Sequence, residues 1–221
     1  MILSALLLLA AAQDWTPLFD GKTLDGWQVS ARPADRGKNF WKVREGAITC
    51  DSLGRKDHDY VWLLTGREFG DFELKLKVRG FPQSPGNSGV QIRSHYDEAA
   101  GWLDGPQVDV HPPAPWRTGL IYDETRGVRR WIFPSLPDWK IEATQGPKQW
   151  RWDSDGWNDI EILCQGPRVR TRVNGLVIAD YDGRGLLDDQ RHRPSGRIGL
   201  QLHVRDELLI QYKDIFVRSS R

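Results

Sequence analysis

The sequence predicts an all-β protein, folded as a two-sheet antiparallel β-sandwich or jelly roll. Apolar residues alternate with polar ones along many short segments, helical periodicity is almost absent after residue 13, and Gly, Pro and Asn separate the segments. Ten or more short strands without intervening helices are typical of sandwiches. The 221 residues contain no internal repeat and no Ser- or Pro-rich linker, so we predict a single domain over residues 13–221.

The first element, residues 1–12, is predicted to be a signal peptide. Its apolar run ends in Ala10-Ala11-Ala12, which resembles the small-residue cleavage site of secretory signals. The run is shorter than the roughly 20 residues that a membrane-spanning helix needs. We therefore expect a periplasmic or extracellular protein without membrane insertion. A mistaken start site or a soluble N-terminal turn is the alternative.

Strand signals then recur in order along the chain. The segment FELKLKVRG, residues 72–80, alternates strictly between apolar and polar side chains. Asn174-Gly175 lies between two alternating segments and is a two-residue hairpin signal. One long irregular stretch, residues 134–157, is predicted to be a loop excursion of the kind that often carries function. Further strands are predicted within residues 40–50, 60–65, 88–95, 106–111, 119–123, 130–133, 159–166, 168–173, 176–181, 196–204 and 208–219.

Three of these strands carry hydrogen-bonding residues opposite their apolar partners. Side chains on one face of a strand recur every second residue, so each polar row lies together on the outer side of its sheet. The outward residues of segment 72–80 are only Lys, Glu and Arg, which is typical of a solvated face. The other rows predict a ligand site, and they are Gln91 and Arg93; Gln107, Asp109 and His111; and Gln201, His203 and Arg205.

Composition excludes some partners. The 31 basic and 30 acidic residues give a net charge of +1, which predicts no nucleic-acid binding. No phosphate loop, dinucleotide fingerprint or nucleophile elbow is present. The 11 Trp residues suit either stacking on sugar rings or a large core. Trp102, Trp116 and Trp131 are candidate stacking platforms, with ordinary packing as the alternative.

The two cysteines and one acidic loop bear on cofactors. Cys50 and Cys164 each lie in an apolar strand-like run. One disulfide is compatible with export, and two buried thiols are the alternative. Without clustered His, the two cysteines predict no zinc site. The motif DSDG, residues 153–156, resembles a calcium loop but is too short. We predict no cofactor, with a structural calcium as the alternative.

A series of motifs runs in a specific order from residue 15 to about residue 218. They are WTPLFDGKTLDGW, GNSGVQIRS, GPQVDV, GLIYDETRG, GWNDIEILCQGPRVRTRVNG, GRIGLQLH and YKDIFVR. Together they resemble the 3-keto-disaccharide hydrolase family. The resemblance implies a concanavalin A-like fold and an exported carbohydrate-active protein that cleaves glycosides oxidised to a ketone at C3. The sugar 3-oxidoreductase that makes the ketone would be a separate protein.

A ketone at C3 acidifies the proton at C2. A base can remove that proton, the group at C1 can leave by β-elimination, and water can add afterwards. This chemistry needs a general base, a donor to the C3 oxygen and an acid for the leaving group. Asp109 or His111 is the candidate base, Arg93 the candidate donor, and Glu124 or His203 the candidate acid. The candidate substrate-binding residues are Gln91, Gln107, Tyr122, Gln201 and Asn87.

Each candidate also has a purely structural interpretation. Asp109 could pair with Arg93, and His111 could cap the end of its strand. GNSG, residues 86–89, is predicted to be a tight turn with Asn87 at its apex. A turn network could be formed by Asp123, Glu124 and Arg126.

The whole chain also has alternative functions. It could be a non-catalytic carbohydrate-binding module or a scaffolding domain. It could also be a conventional glycoside hydrolase, which needs two carboxylates about 5 or 6.5–9.5 Å apart. The E-x-D-x-E run that is usual in such sandwich hydrolases is missing from this sequence.

Overall fold

The computed structural model describes residues 14–84, 86–111, 116–183 and 192–219. Within these ranges two antiparallel sheets pack face to face, so the predicted sandwich is confirmed. The predicted signal peptide lies outside the described residues and stays a prediction. The elements are β1 (Thr16–Pro17), β2 (Trp27–Ala31), β3 (Trp41–Arg44), β4 (Ala47–Asp51), β5 (Val61–Phe69), β6 (Phe72–Gly80), β7 (Ser88–Asp97), β8 (Trp102–Asp104), β9 (Pro106–Val110), β10 (Ile121–Asp123), β11 (Arg130–Phe133), a 3-10 turn (Ala143–Gln145), β12 (Asn158–Gln165), β13 (Arg168–Val173), β14 (Leu176–Tyr181), β15 (Gly196–Leu202) and β16 (Leu209–Ser219).

The two sheets have different strand orders. The first sheet runs β14-β13-β12-β6-β16-β4-β3, with β1 paired to the end of β16. The second sheet runs β11-β10-β9-β7-β15-β5-β2, with β8 paired to the end of β7. The central strands of the second sheet, β9, β7 and β15, are those on which the sequence predicted polar rows.

The core lies between the inner faces of the sheets and takes alternate residues from each strand. In β6, Phe72, Leu74, Leu76 and Val78 are buried, and the Lys and Glu side chains between them are partly exposed. This alternation agrees with the sequence prediction, because a strand covered on one side buries every second side chain.

A smaller apolar cluster lies on the opposite, outer face of the second sheet. Its buried members are Tyr60, Trp62, Leu64 and Leu103, and we call it the outer aromatic cluster. Because β8 supplies Leu103 and pairs with the end of β7, this short strand helps to cover the outer face. The partly buried residues that pack against the cluster are Tyr96, Trp102 and Val204.

Two local predictions are confirmed. Asn174 and Gly175 connect β13 to β14 with φ values of +47° and +77°, as a two-residue hairpin turn requires. Residues 134–157 are irregular apart from the 3-10 turn. Among the described residues, no helix is long and apolar enough to cross a membrane.

The cysteines are free thiols. Cys50 lies in β4 and Cys164 in β12, and both are buried in the first sheet. Strands β6 and β16 separate them, so they stand three steps of about 4.8 Å apart, well beyond disulfide reach. The buried-thiol alternative is therefore the correct one.

The DSDG segment forms a turn stabilised by its own hydrogen bonds. The Asp153 carboxylate accepts the backbone N–H of Asp155, and Asn158 Oδ1 accepts the N–H of Asp153. Throughout the described ranges, no group of three or more His, Cys, Asp or Glu side chains converges on a point that could hold a metal ion.

Candidate active site

A chain of amides on the outer face of the second sheet leads to a buried carboxylate. In β9, Val108 points into the core, whereas Gln107 and Asp109 point outward. Gln91 of β7 pairs with Gln107 of β9, and Gln91 Nε2 donates to Gln107 Oε1 at 2.7 Å. Gln107 Nε2 in turn donates to Asp109 Oδ1 at 3.2 Å. One oxygen of Asp109 is therefore held by protein.

Gly89 makes room for this arrangement. A Cβ atom at Gly89 would lie 2.2 Å from the side chain of Gln107, which only glycine avoids. Ser88 and Gly89 pair with Val110 and Asp109 as the start of β7. The predicted tight turn at this motif is wrong, because cross-strand pairing takes up the residues that were expected to form it.

Asp109 has unusual electrostatics. It is 2% exposed, and burial raises its pKa to about 6, although the Arg117 guanidinium acts in the opposite direction and Glu124 adds to the rise. Asp109 Oδ2 lies 3.3 Å from Arg117 Nε, but the two atoms are not aligned for a hydrogen bond and neither makes one. A buried carboxylate with a raised pKa and a free oxygen can accept a proton from a ligand.

Glu124 is the second buried carboxylate. Its Oε1 accepts a hydrogen bond from Gln201 Nε2 at 3.1 Å, and its Oε2 makes no hydrogen bond. Burial raises the pKa of Glu124, and the Gln201 amide, His203 and Arg129 oppose the rise. The negative charge of Glu124 in turn contributes to the raised pKa of Asp109.

His203 links a tyrosine to a third carboxylate. Its Nε2 lies 2.9 Å from Tyr60 Oη, and its Nδ1 lies 3.4 Å from Asp206 Oδ2. The Tyr60 and His203 rings pack edge to face with their centres 4.8 Å apart. Asp206 also accepts the backbone N–H of Asn87 at 2.8 Å. These contacts fix the orientation of the imidazole.

These groups surround one pocket of about 100 Å³. Buried polar atoms without a hydrogen-bond partner are uncommon in proteins, and several of those in the described part of the chain converge here. Such atoms are available to a polar ligand. The lining residues are Tyr60, Asn87, Gln107, Asp109, Arg117, Tyr122, Glu124, Arg129, Trp131, Trp139 and His203. The unpartnered atoms are Asn87 Oδ1, Asp109 Oδ2, Arg117 Nε, Glu124 Oε2, His203 Nδ1 and, behind the lining, Gln201 Oε1.

A larger hollow of about 500 Å³ lies on the outer face of the first sheet. Its two glutamates have arginine partners: Glu161 lies 3.6 Å from Arg172, and Glu73 accepts a hydrogen bond from the neighbouring Arg218 at 2.7 Å. These residues are at least partly exposed, so water satisfies them. Size alone therefore does not identify the site, and the smaller pocket is the candidate because its polar groups are buried and unsatisfied.

Aromatic residues form one side of the pocket. Tyr122 lies beside Gln107 on the neighbouring strand, and its ring packs edge to face against Trp131 with centres 5.1 Å apart. Trp131 Nε1 donates to the carbonyl of Trp139 at 3.0 Å, which anchors the loop of residues 134–157 at the pocket. The Trp139 side chain is 62% exposed at the rim.

The other two candidate tryptophans have packing roles. Trp102 packs against the outer aromatic cluster, and its Nε1 donates to the Glu124 carbonyl at 2.9 Å. Trp116 stacks on Trp150 with ring centres 4.5 Å apart, and neither residue lines the pocket.

The predicted outward position of Arg93 is wrong. Arg93 has φ of +49°, and the β7–β15 register shifts at this point, so the alternation changes phase. Its guanidinium donates to the Gly70 carbonyl at 2.8 Å, the Gly166 carbonyl at 2.6 Å and Asp71 Oδ1 at 2.8 Å. Arg93 therefore joins turns of the first sheet to the second and is not part of the pocket. Asp109 therefore forms its ion pair with Arg117 and not with Arg93.

Other candidates lie beside or behind the pocket. Gln91 and Gln201 are fully buried and hold Gln107 and Glu124 from behind without lining the pocket. His111 follows the end of β9, where its backbone N–H is accepted by the Thr118 hydroxyl, and it does not line the pocket either.

The predicted turn network after β10 divides into separate interactions. Asp123 is buried against His192, whose Nε2 lies 3.0 Å from its carboxylate. Arg126 pairs with Asp104 at 2.6 Å and with Asp97 at 2.9 Å. Glu124, between Asp123 and Arg126, is the one that faces the pocket.

Sequence reasoning missed several residues. Tyr60 was hidden because its outward row, shared with Trp62 and Leu64, is aromatic and apolar and thus resembles a core row. Trp139 lies in the loop whose length did suggest function. The remaining missed residues are Arg117, Arg129 and Asp206. They lie in irregular segments, where the sequence offers no periodic signal.

Comparison with known proteins adds a family to this geometry. Residues 14–218 match the model of the 3-keto-alpha-glucoside-1,2-lyase-like domain. The chain belongs to this family. A 3-keto-disaccharide hydrolase of Bacteroides thetaiotaomicron is 30% identical over 82 residues, which are 36% of this chain and 27% of that relative. The resemblance predicted from the motifs is thus confirmed, although the chain aligns with only about a quarter of the relative's length.

Solved structures of low sequence identity share the fold of this chain. A protein of Parabacteroides distasonis, assigned provisionally as a glycosyl hydrolase, has a TM-score of 0.65 at 18% identity and covers 94% of each chain. The carbohydrate binding module CBM66 of Bacillus subtilis has a TM-score of 0.58 at 12% identity and covers 88% of this chain and 96% of its own. At these identities the likeness shows the jelly-roll fold, which both hydrolases and binding modules use.

Proposed function

We propose that this protein cleaves glycosides whose sugar carries a ketone at C3, with Asp109 as the base that removes the C2 proton. One observation carries the proposal: Asp109 is buried, has a pKa raised to about 6, and presents an unpartnered oxygen to a pocket lined by further unpartnered polar atoms. A base with its pKa near the working pH transfers protons efficiently. The family supports the substrate class.

The pocket supplies the two groups that enolate formation needs. Asp109 Oδ1 is held by Gln107, which leaves Oδ2 to take the proton. Arg117 Nε lies 3.3 Å from that oxygen and has no hydrogen-bond partner, so it can donate to the C3 oxygen as negative charge develops there. A donor aimed at such an oxygen contributes about 3 kcal/mol to catalysis. Arg117 therefore takes the role that the sequence assigned to Arg93.

The remaining polar atoms suit a sugar. Glu124 Oε2 and Asn87 Oδ1 can accept hydrogen bonds from hydroxyl groups, and both lack a protein partner. Trp139 offers an exposed apolar face at the rim, and the buried Trp131 also lines the pocket. When the C1–O bond breaks, its electron pair leaves with the oxygen. Water then adds its hydroxyl to C1 and a proton returns to C2, which gives net hydrolysis.

The test compares 4-nitrophenyl 3-keto-glucoside with the unoxidised 4-nitrophenyl glucoside by following nitrophenol release. We expect release from the keto substrate alone, and loss of that release in Asp109→Asn. Glu161→Gln is the matched control, because it removes a carboxylate from the larger hollow on the other sheet. Release from both substrates would indicate conventional two-carboxylate hydrolysis. Binding measured by calorimetry without release from either would identify a carbohydrate-binding module.

A further inference from the structure

A phenol, an imidazole and a carboxylate lie in a row, and the first two belong to residues that line the pocket. Asp206 Oδ2 lies 3.4 Å from His203 Nδ1, an electrostatic contact without a hydrogen bond, and His203 Nε2 is hydrogen-bonded to Tyr60 Oη at 2.9 Å. The N–H of Asn87 holds the Asp206 carboxylate at 2.8 Å. An imidazole with a proton on both ring nitrogens would direct its Nδ1–H at the Asp206 carboxylate and its Nε2–H at the Tyr60 oxygen. The row ends at Tyr60, which lines the pocket together with His203.

Packing explains the ring of Tyr60 but not this hydroxyl contact. The ring stacks on Trp62 with centres 5.4 Å apart and meets Trp102 edge to face. Tyr96 packs against the same outer aromatic cluster and does not line the pocket. A phenylalanine would fill the space of either ring. The Tyr60 hydroxyl therefore adds a polar contact with His203 that the apolar packing of the cluster does not need.

We infer that Tyr60 is the catalytic acid that protonates the leaving oxygen, with His203 supplying its proton and Asp206 as the positioning residue that orients His203. This inference rests on the proposed function. When Asp109 takes the C2 proton, the C1–O bond breaks and its electron pair goes to the leaving oxygen. That oxygen takes the phenol proton of Tyr60. The phenol oxygen is reprotonated from Nε2 of the His203 imidazolium.

The same groups complete the cycle in reverse. After elimination Asp109 holds one proton and His203 has lost one. A water molecule placed at C1 gives a proton to Tyr60, which passes its own to His203, and the hydroxyl bonds to C1. Asp109 returns its proton to C2. All atoms and charges balance, so the pocket is regenerated and the net reaction is hydrolysis.

Glu124 is the competing acid, since it too is buried in the pocket. Burial raises the pKa of Glu124, but its Oε1 is held by the Gln201 amide, which opposes that rise and ties this oxygen to the protein. Burial raises the pKa of Tyr60 well above its ordinary value, with Glu124 adding to the rise, so the phenol carries its proton at neutral pH.

The experiment uses a series of 3-keto-glucosides whose leaving groups range from 4-nitrophenol to a simple alkyl alcohol. Tyr60→Phe should lower kcat by roughly 10²-fold or more for the alkyl alcohol, the scale of general acid catalysis, and leave the nitrophenol substrate nearly unchanged. A good leaving group departs without a proton, which is why the loss depends on the alcohol. Asp206→Asn should shift the leaving-group dependence in the same direction, which a merely structural residue would not do.

Tyr96→Phe is the matched control and should behave as the wild type across the series. If Glu124→Gln produces the leaving-group dependence and Tyr60→Phe does not, Glu124 is the acid and the inference is overturned. An equal loss for all leaving groups in Tyr60→Phe also overturns it. If the wild type releases no leaving group from any keto substrate, the proposed function itself fails, and the inference fails with it.

Discussion

Asp109 Oδ2 and Arg117 Nε face each other at 3.3 Å, yet within the described part of the chain neither atom makes a hydrogen bond. Opposite charges at this distance attract, but the missing hydrogen bond leaves a donor and an acceptor side by side in a buried pocket. Burial of unsatisfied polar atoms costs free energy, so such pairs persist where a ligand uses them. The pair is therefore suited to a ligand that gives a proton to Asp109 and accepts a hydrogen bond from Arg117 through an adjacent oxygen.

The first prediction concerns pH. Asp109 must be ionised to act as a base, and its pKa is raised to about 6. We expect kcat/KM for 4-nitrophenyl 3-keto-glucoside to rise as pH increases from 5 and to level off above about 7, with a midpoint near 6. A profile that is flat across this range would exclude Asp109 as the titrating base. The pH dependence of kcat/KM, measured at low substrate concentration, reports the pKa in the free enzyme. The pH dependence of kcat, measured at high substrate concentration, reports the pKa in the enzyme–substrate complex.

The second prediction is that Asp109→Asn stabilises the protein. The pKa of Asp109 is raised from 3.8 to about 6, so between these values the folded state binds more protons than the unfolded state. The free energy of unfolding therefore falls as pH rises through this window. Asp109→Asn cannot ionise, so its free energy of unfolding does not fall in this window. At pH 7.5 it should exceed that of the wild type by on the order of 1–3 kcal/mol.

Urea denaturation of the wild type and the variant at pH 7.5 and at pH 4 measures this effect. The stabilisation should disappear near pH 4, where the wild-type carboxyl is protonated in the folded state. A variant less stable than the wild type at pH 7.5 would mean that the pocket stabilises the carboxylate rather than strains it.

The third prediction separates a structural arginine from a catalytic one. Arg93→Ala leaves the carbonyls of Gly70 and Gly166 and the Asp71 carboxylate without their donor. We expect a loss of about 3 kcal/mol or more in the free energy of unfolding. At a temperature where the variant is folded, kcat/KM should match the wild type. Arg205→Ala, at an exposed position, should change stability by less than about 0.5 kcal/mol.

The fourth prediction concerns the rim. Trp139 is 62% exposed and lines the pocket, whereas Trp150 is 52% exposed and stacks on Trp116 away from it. Trp139→Ala should raise KM for a keto-disaccharide roughly tenfold, about 1.4 kcal/mol, with little change in kcat. Trp150→Ala is the matched control and should leave KM unchanged. Equal effects of the two substitutions would remove Trp139 from the substrate-binding surface.

The fifth prediction follows from the free cysteines. Cys50 and Cys164 are both fully buried, and burial raises the pKa of each thiol. A thiol reagent should therefore not react with the folded protein and should modify both residues after denaturation. Adding a reductant should leave the urea midpoint unchanged. A midpoint lowered by reductant would indicate a disulfide.

The local features of the fold were predictable. The alternation in β6 and the Asn174-Gly175 turn depend on residues adjacent in the chain, so short patterns contain all the necessary information. The same alternation placed Gln107 and Asp109 outward correctly. It failed at Arg93, because a single residue with positive φ shifts the phase of a strand, and no composition rule marks that position.

By itself the sequence determined the two-sheet architecture, the family and the strand that presents Asp109. Only the tertiary structure decided which groups meet in the pocket. Tyr60 and His203 are 143 positions apart, and loops without periodicity bring Arg117 and Trp139 to Asp109. The physical reason is that strand patterns indicate which side chains face the core and which face the opposite side of the sheet. Which residues become neighbours on that opposite side depends on strand order and loop paths, which are set by long-range packing.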